Sequence, residues 1–162
     1  MNPAKRRLVL AATLAAHGGV QEFLLRFADW LKHRGHEVIL LAGEGEWLFE
    51  ACKNRGITAH KIPHLRRAIH PWRDFLALIE MYNALRKIKP DAIHLNSSKM
   101  GIIGALAARF ASVPRSVYRI GGWVFLEPLS PFMRWLYRTL ERVSASWKDV
   151  IICVHPADTE LA

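Results

Sequence analysis

Short apolar runs alternate with longer amphipathic segments six times along the chain. A continuous apolar run such as 8–14 is typical of a strand that is buried on both faces of a sheet. Apolar side chains that recur every three or four residues, as at Phe23, Phe27 and Leu31, share one face of a helix. The pattern predicts strands at 8–14, 36–42, 57–62, 92–95, 115–120 and 150–154, and helices at 20–34, 46–54, 72–87, 99–111 and from 131 to about 146.

This alternation predicts an α/β protein, because parallel strands need a crossover helix between them. We expect a Rossmann-like, three-layer αβα domain with a six-stranded, mostly parallel sheet, and the length of 162 residues fits one domain. In the usual doubly wound order the first and fourth strands are neighbours. Ligands then bind at the carboxyl edge of the sheet, where the strand order reverses.

A glycine pair, Gly18 and Gly19, joins the first strand to the first helix. Glycines at a helix N-terminus let backbone N–H groups approach a phosphate, which the helix dipole also attracts. A tight turn that needs a positive φ would use the same residues. The third glycine of the dinucleotide-binding fingerprint and the lysine of a P-loop are both missing, so the pair alone leaves both interpretations open.

Polar and glycine residues also follow the fourth and fifth strands, at Ser97, Ser98 and Lys99 and at Gly121 and Gly122. One serine could simply cap the helix that follows. If the doubly wound order holds, however, these turns and the first glycine pair face one crevice. We therefore expect a ligand site there.

The chain is strongly basic, with 23 Lys and Arg against 14 Asp and Glu and a net charge of +9. Such an excess favours an anionic partner, such as a phosphorylated substrate, nucleic acid or an acidic membrane surface. Arg66 and Arg67 lie after the third strand, on the expected ligand edge, where paired arginines suit a diphosphate or form a solvated loop. Histidines, cysteines and carboxylates show no spacing typical of a metal site or a catalytic triad, so the catalytic residues are not identified.

An apolar and aromatic segment begins at Trp123 and Phe125 and leads into a helix that carries Arg134, Arg138 and Arg142. Exposed aromatics beside a basic helix predict a membrane-docking or interdomain surface. The alternative is that these side chains pack on the sheet. No segment reaches the roughly 18 consecutive apolar residues of a membrane span.

The chain resembles the N-terminal domain of bacterial family 4 glycosyltransferases that make capsular polysaccharides, exopolysaccharides or lipopolysaccharides. The matching features are the Gly18–Gly19 turn, the segment 34–38, Arg67 with Asp74, the Lys-Pro-Asp at 89–91, the segment 94–101 and the Gly-Trp-Val-Phe at 122–125. The resemblance implies the GT-B architecture, in which two Rossmann-like domains enclose the active site. Residues 1–162 would be the acceptor-side domain, and the C-terminal donor-binding domain would be absent from this chain.

The resemblance further implies transfer of a sugar from a nucleotide-sugar donor to a lipid-linked or saccharide acceptor. Transfer would usually retain the anomeric configuration, and no metal or other cofactor is expected. Gly18 and Gly19 would approach the donor diphosphate, whereas Arg67, Ser97, Ser98, Lys99, Gly121 and Gly122 would lie on the acceptor side. Many relatives carry a histidine where this chain has Gly121. The protein would be cytoplasmic, with a peripheral position on the inner face of the cell membrane as an option.

Two other functions fit parts of the sequence. A noncatalytic subunit of a split glycosyltransferase could dock on a membrane and recruit a separate catalytic chain. A basic Rossmann domain could instead bind nucleic acid, with a steep dependence on salt. The family resemblance makes nucleic acid the less expected partner.

Overall fold

A single sheet of parallel strands, in the order β3-β2-β1-β4-β5-β6, organises the protein. The computed structural model describes residues 4–160, so both ends of the predicted 1–162 domain lie outside the described residues. The strands are β1 (Arg7–Leu14), β2 (Glu37–Glu44), β3 (Thr58–Lys61), β4 (Ala92–Asn96), β5 (Ser116–Ile120) and β6 (Val150–Cys153). All the pairings are parallel, which agrees with the mostly parallel sheet predicted from the alternating pattern.

Six α-helices connect the strands or follow them: α1 (Gly19–His33), α2 (Trp47–Asn54), α3 (Pro71–Ile88), α4 (Ala105–Phe110), α5 (Pro131–Ala145) and α6 (Pro156–Thr159). A proline at the first helical position, where no N–H is needed, begins α3 and α5. His70 and Ser130 cap these two helices by accepting hydrogen bonds from Arg73 N–H (3.4 Å) and Met133 N–H (3.3 Å). None of the helices within residues 4–160 is both long and apolar enough to cross a membrane.

Two apolar cores lie on opposite faces of the sheet, because the central strands β1 and β4 are buried on both sides. One core lies under α1 and α2, which bury Leu24, Leu25 and Leu48 against β1 and β2. The other core lies under α3 and α4 and includes Met81 and Tyr118. The three-layer αβα architecture predicted from the sequence is therefore confirmed.

The predicted fourth helix begins differently from a regular α-helix. A π-helical turn at Met100–Gly104 leads into α4. A Cβ added to Gly101 would lie 2.6 Å from the Tyr118 ring, and one added to Gly104 would lie 2.6 Å from Leu95. These two glycines therefore let the π turn press directly onto β4 and β5. Such turns occur frequently at functional sites.

Candidate functional site

A cavity of about 670 Å³ opens at the carboxyl edge of the sheet, where β1 and β4 lie side by side. This is the switch point of the strand order, because the chain runs outward from β1 in one direction and from β4 in the other. Of the residues predicted to form a site, the cavity is lined by Gly19, Arg67, Ser97, Ser98, Lys99, Gly121 and Gly122. Gly18 precedes α1 and is not among the lining residues.

A hydroxyl pair joins the two central strands at the edge of the cavity. Thr13 Oγ1 and Ser97 Oγ share a hydrogen bond of 2.6 Å. Ser97 has a φ of +86°, a left-handed conformation that costs energy in a residue other than glycine. The Ser97 hydroxyl thus bonds to β1, and the helix-cap alternative does not describe it.

The N-terminus of α1 faces the cavity through Gly19, Val20 and Gln21. The first N–H groups of any α-helix have no acceptor within the helix. The N-cap residue of α1 is Gly18, and no side-chain cap hydrogen bond is formed at this helix end within the described residues. The Gln21 side chain donates from Nε2 to the Leu14 carbonyl at 2.7 Å. The site therefore presents uncapped N–H groups and the positive end of a helix dipole.

Lys99 is held by the protein. Its Nζ donates to the Ala68 carbonyl at 2.7 Å and to Asp74 Oδ1 at 2.8 Å, and both charged side chains are largely buried. These bonds tie the loop that carries Arg67 to the start of α3. Lys99 therefore positions the cavity wall, although the sequence suggested a lysine free to meet a ligand.

The two neighbouring arginines have different surroundings. Arg66 forms an ion pair with Glu44 at 3.7 Å and does not line the cavity. Arg67 lines the cavity, and within residues 4–160 it has no ion-pair partner. Of the pair that the sequence suggested, Arg67 is the one available to an anion inside the cavity.

Arg119 is a second cavity arginine that the sequence analysis missed. It lies near the end of β5, and its guanidinium stacks 4.3 Å above the ring of Phe23. Burial, with the nearby Arg119 charge, lowers the pKa of His94 to about 4, so His94 is neutral at neutral pH. A basic residue two positions before Gly121 could have signalled this position from the sequence. Glu127, also missed, brings an exposed carboxylate to the cavity.

A buried polar network closes the floor of the cavity at Tyr118. The Tyr118 hydroxyl donates to Glu141 Oε1 at 3.1 Å, and Lys148 Nζ donates to Glu141 Oε2 at 3.0 Å. The Lys148 side chain is 1% exposed. Burial lowers the pKa of Lys148, whereas burial and the Glu141 charge raise the pKa of Tyr118. Because these groups satisfy one another, the network is structural.

Three glycines leave open space at the cavity edge. A Cβ added to Gly19, Gly121 or Gly122 would meet no protein atom within 4 Å. Gly122 also has a φ of +141°, which residues with a side chain rarely adopt. The backbone conformations of Gly19 and Gly121 do not require glycine. The open space leaves room for a ligand to approach the backbone closely. Their roles toward donor or acceptor remain predictions.

The prediction that Trp123 and Phe125 form part of an exposed docking surface is wrong. Both are 6% exposed, they stack on each other, and Trp123 Nε1–H donates to the Asp158 carbonyl at 3.1 Å. Phe125 lies in the 3₁₀ turn Val124–Leu126, and Trp123 immediately precedes that turn. The exposed aromatics are instead Phe132 and Trp135 on α5, 66% and 61% exposed, beside the exposed Arg134, Arg138 and Arg142.

The histidine, cysteine and carboxylate side chains of residues 4–160 form no group of three or more close enough to hold a metal ion. The groups that can bind an anion in the cavity are arginines, hydroxyls and helix N–H groups, while the carboxylate of Asp74 is paired with Lys99 and that of Glu127 is exposed. This set is suited to an anion such as a phosphate or diphosphate.

Comparison with known proteins places these features in a family. The model of Glycosyltransferase Family 4 matches residues 17–161. A UDP-Gal:alpha-D-GlcNAc-diphosphoundecaprenol alpha-1,3-galactosyltransferase of Escherichia coli is 32% identical over 88% of this chain and 37% of that protein. A capsular polysaccharide biosynthesis glycosyltransferase of Staphylococcus aureus is 25% identical over 78% of this chain and 32% of that protein.

The fold matches solved structures as well. A glycosyltransferase from Rickettsia africae superposes with a TM-score of 0.72 at 16% identity, over 97% of this chain and 38% of that one. The chain spans about a third of the length of the two relatives above.

Proposed function

Because the chain belongs to Glycosyltransferase Family 4, we propose that it forms the acceptor-side half of an enzyme that transfers a sugar from a nucleotide-sugar to a lipid-linked acceptor. The product would enter cell-surface polysaccharide synthesis. The names of the two relatives support this proposal, since one is named for a UDP-Gal donor and a diphosphoundecaprenol acceptor and the other for capsular polysaccharide biosynthesis. The chain's share of their length supports a second, donor-binding half outside these 162 residues.

The proposal is carried by the cavity at the switch point. It combines an uncapped helix N-terminus at Gly19 with Arg67 and Arg119 around one space. Both the donor and the acceptor of such a reaction carry a diphosphate. Helix N–H groups and arginine guanidiniums are the groups that bind diphosphates in proteins.

Sugar transfer breaks the bond between the anomeric carbon and the donor diphosphate and forms a bond to an acceptor hydroxyl. The departing nucleoside diphosphate keeps the electron pair, and the acceptor proton leaves with solvent or the diphosphate. The positive end of α1 at Gly18 and Gly19 would stabilise the charge that develops on the leaving group. We assign no metal to this step.

Arg67, Ser97, Ser98, Gly121 and Gly122 would form the acceptor side of the cavity. Arg67 supplies the charge, and the open space at Gly121 and Gly122 admits the acceptor head group. Lys99 would act through position, because its bonds to Ala68 and Asp74 hold the loop that carries Arg67.

A peripheral position on the inner face of the membrane is part of the proposal. Arg134, Arg138 and Arg142 follow one another at helical spacing on α5, and Phe132 and Trp135 protrude beside them. Basic side chains next to exposed aromatics bind anionic lipid surfaces. The same surface supports the second candidate, a noncatalytic docking subunit of a split enzyme.

The direct test is a transfer assay with the full protein, a lipid-linked N-acetylglucosamine diphosphate and a panel of nucleotide-sugars. We expect one donor to increase the acceptor mass by one sugar residue. If no donor does so, while vesicle binding and capture of a separate glycosyltransferase chain are retained, the docking subunit is the correct function. Tight, salt-sensitive binding to DNA or RNA without transfer would contradict both.

A further inference from the structure

Large apolar side chains line the part of the cavity away from the sheet edge. The π turn contributes Ile102 and Ile103, the following loop contributes Leu129, and α5 contributes Leu136 and Leu140. We call these residues the apolar arm. All of them are half-buried. The cavity therefore keeps apolar surface in contact with solvent, which is unfavourable unless a ligand covers it.

The burial pattern of α5 shows why the arm stays open. Its only buried residues are Glu141 and Ser144, near its C-terminal end, where the Tyr118 network anchors the helix. Earlier on the same face, Leu136 and Leu140 stand over the cavity. The polar groups of the floor bond to each other. The residues named as the apolar arm therefore offer a ligand apolar side chains.

On the strength of the proposed function, we infer that the apolar arm binds the hydrocarbon next to the diphosphate of the lipid-linked acceptor. Arg67 lines the same cavity, so an anionic group and a hydrocarbon chain attached to it can be held together. The carboxylate of Asp74 is neutralised by Lys99, and that of Glu127 is solvent-exposed. The volume of about 670 Å³ accommodates a head group and the first part of a lipid chain, within the usual range for small-molecule sites of about 300–1,000 Å³.

The rest of the lipid has a path to the membrane. Viewed down the axis of α5, Leu136 lies between Leu140 on one side and the exposed Phe132 and Val143 on the other. The arm is thus continuous with an exposed apolar strip on α5, formed by Phe132, Trp135 and Val143. A chain leaving the arm would pass along this strip into the lipid surface.

The test measures the affinity of the chain for farnesyl diphosphate, geranyl diphosphate and inorganic diphosphate by calorimetry. We expect farnesyl diphosphate to bind at least tenfold more tightly than inorganic diphosphate, with geranyl diphosphate between them. Leu140→Gln should remove most of that gain and leave inorganic diphosphate within twofold. Ile79→Gln, a matched change at an exposed apolar residue of α3 that does not line the cavity, should change neither affinity. Ile103→Gln replaces Leu140→Gln if circular dichroism shows that the latter does not fold.

Equal affinities for the three diphosphates, or equal effects of Leu140→Gln and Ile79→Gln, would overturn the inference. Absence of farnesyl diphosphate binding would overturn it too. The proposed function and the apolar arm can be contradicted independently. A protein that binds farnesyl diphosphate in the arm but transfers no sugar contradicts the proposed function alone. A protein that transfers sugar with the same KM for short and long hydrocarbon acceptors contradicts the arm alone.

Discussion

Acidification should destabilise the protein through His94, whose ring lies close enough to the cavity residue Arg119 to feel its charge. The His94 ring packs against Phe23 and Phe27, with centroids 6.0 and 5.4 Å away, and its Nδ1 accepts a hydrogen bond from Asn96 Nδ2 at 2.9 Å. Burial, followed by the Arg119 charge, lowers the pKa of His94 from 6.5 to about 4. Folding therefore keeps this imidazole neutral where the unfolded chain would protonate it.

The sign of the effect follows from proton binding. Above pH 6.5 neither state protonates His94, so the stability from its burial is complete. Between pH 6.5 and pH 4 the unfolded state binds a proton that the folded state does not, and stability falls as the pH falls. Each pH unit corresponds to about 1.4 kcal/mol. The contribution lost is about 2 kcal/mol at pH 5 and about 3 kcal/mol near pH 4.

Urea unfolding of the wild type and of His94→Gln, from pH 7.5 to pH 4.5, measures this contribution. The wild type should lose about 2 kcal/mol more than His94→Gln between pH 7.5 and pH 5. An NMR titration of the folded protein should give a midpoint near 4 for His94. Parallel curves for the two proteins, or a midpoint near 6.5, would refute the reasoning.

Three further predictions concern packing, charge and the membrane surface. Gly101→Ala should lower the free energy of unfolding by about 1–3 kcal/mol, because its Cβ would lie 2.6 Å from the Tyr118 ring. Gly121→Ala should lower it by less than about 0.5 kcal/mol in the same thermal or urea unfolding. Equal losses would contradict this packing. Lys148→Met should cost about 3–5 kcal/mol by leaving the buried Glu141 without its charged partner, and Lys148→Met with Glu141→Gln should restore much of it. A neutral single variant would argue against a buried ion pair. Arg134→Glu, Arg138→Glu and Arg142→Glu together should weaken sedimentation with anionic vesicles, and unchanged sedimentation would exclude α5 as the membrane contact.

The fold was predictable because its signals are local. Apolar runs bounded by glycine or proline mark strands that are buried on both faces, and the alternation with helices leaves few topologies. The ends of the elements were less predictable. β3 is Thr58–Lys61, shorter than the predicted 57–62, although the Ile62 N–H still donates to the Ala42 carbonyl of β2.

The site was predictable in position but less so in detail. Strand ends at a switch point must meet, which is why Gly19, Ser97 and Gly121 could be grouped from sequence. The partners of Lys99 come from segments 25 and 31 residues away, and no local pattern encodes them. The same holds for Trp123, whose indole bonds to a carbonyl 35 residues later. Long-range contacts of this kind decide which side chains face the cavity.

The central claim is that the cavity at the switch point binds a diphosphate substrate during sugar transfer. Arg67 and Arg66 offer a matched pair, because only Arg67 lines the cavity while its neighbour pairs with Glu44. The most direct measurement is the rate of sugar transfer to the lipid-linked acceptor by the full protein carrying Arg67→Gln or Arg66→Gln. We predict that Arg67→Gln lowers kcat/KM at least tenfold, whereas Arg66→Gln stays within twofold of the wild type. Equal rates for the two variants would contradict the account.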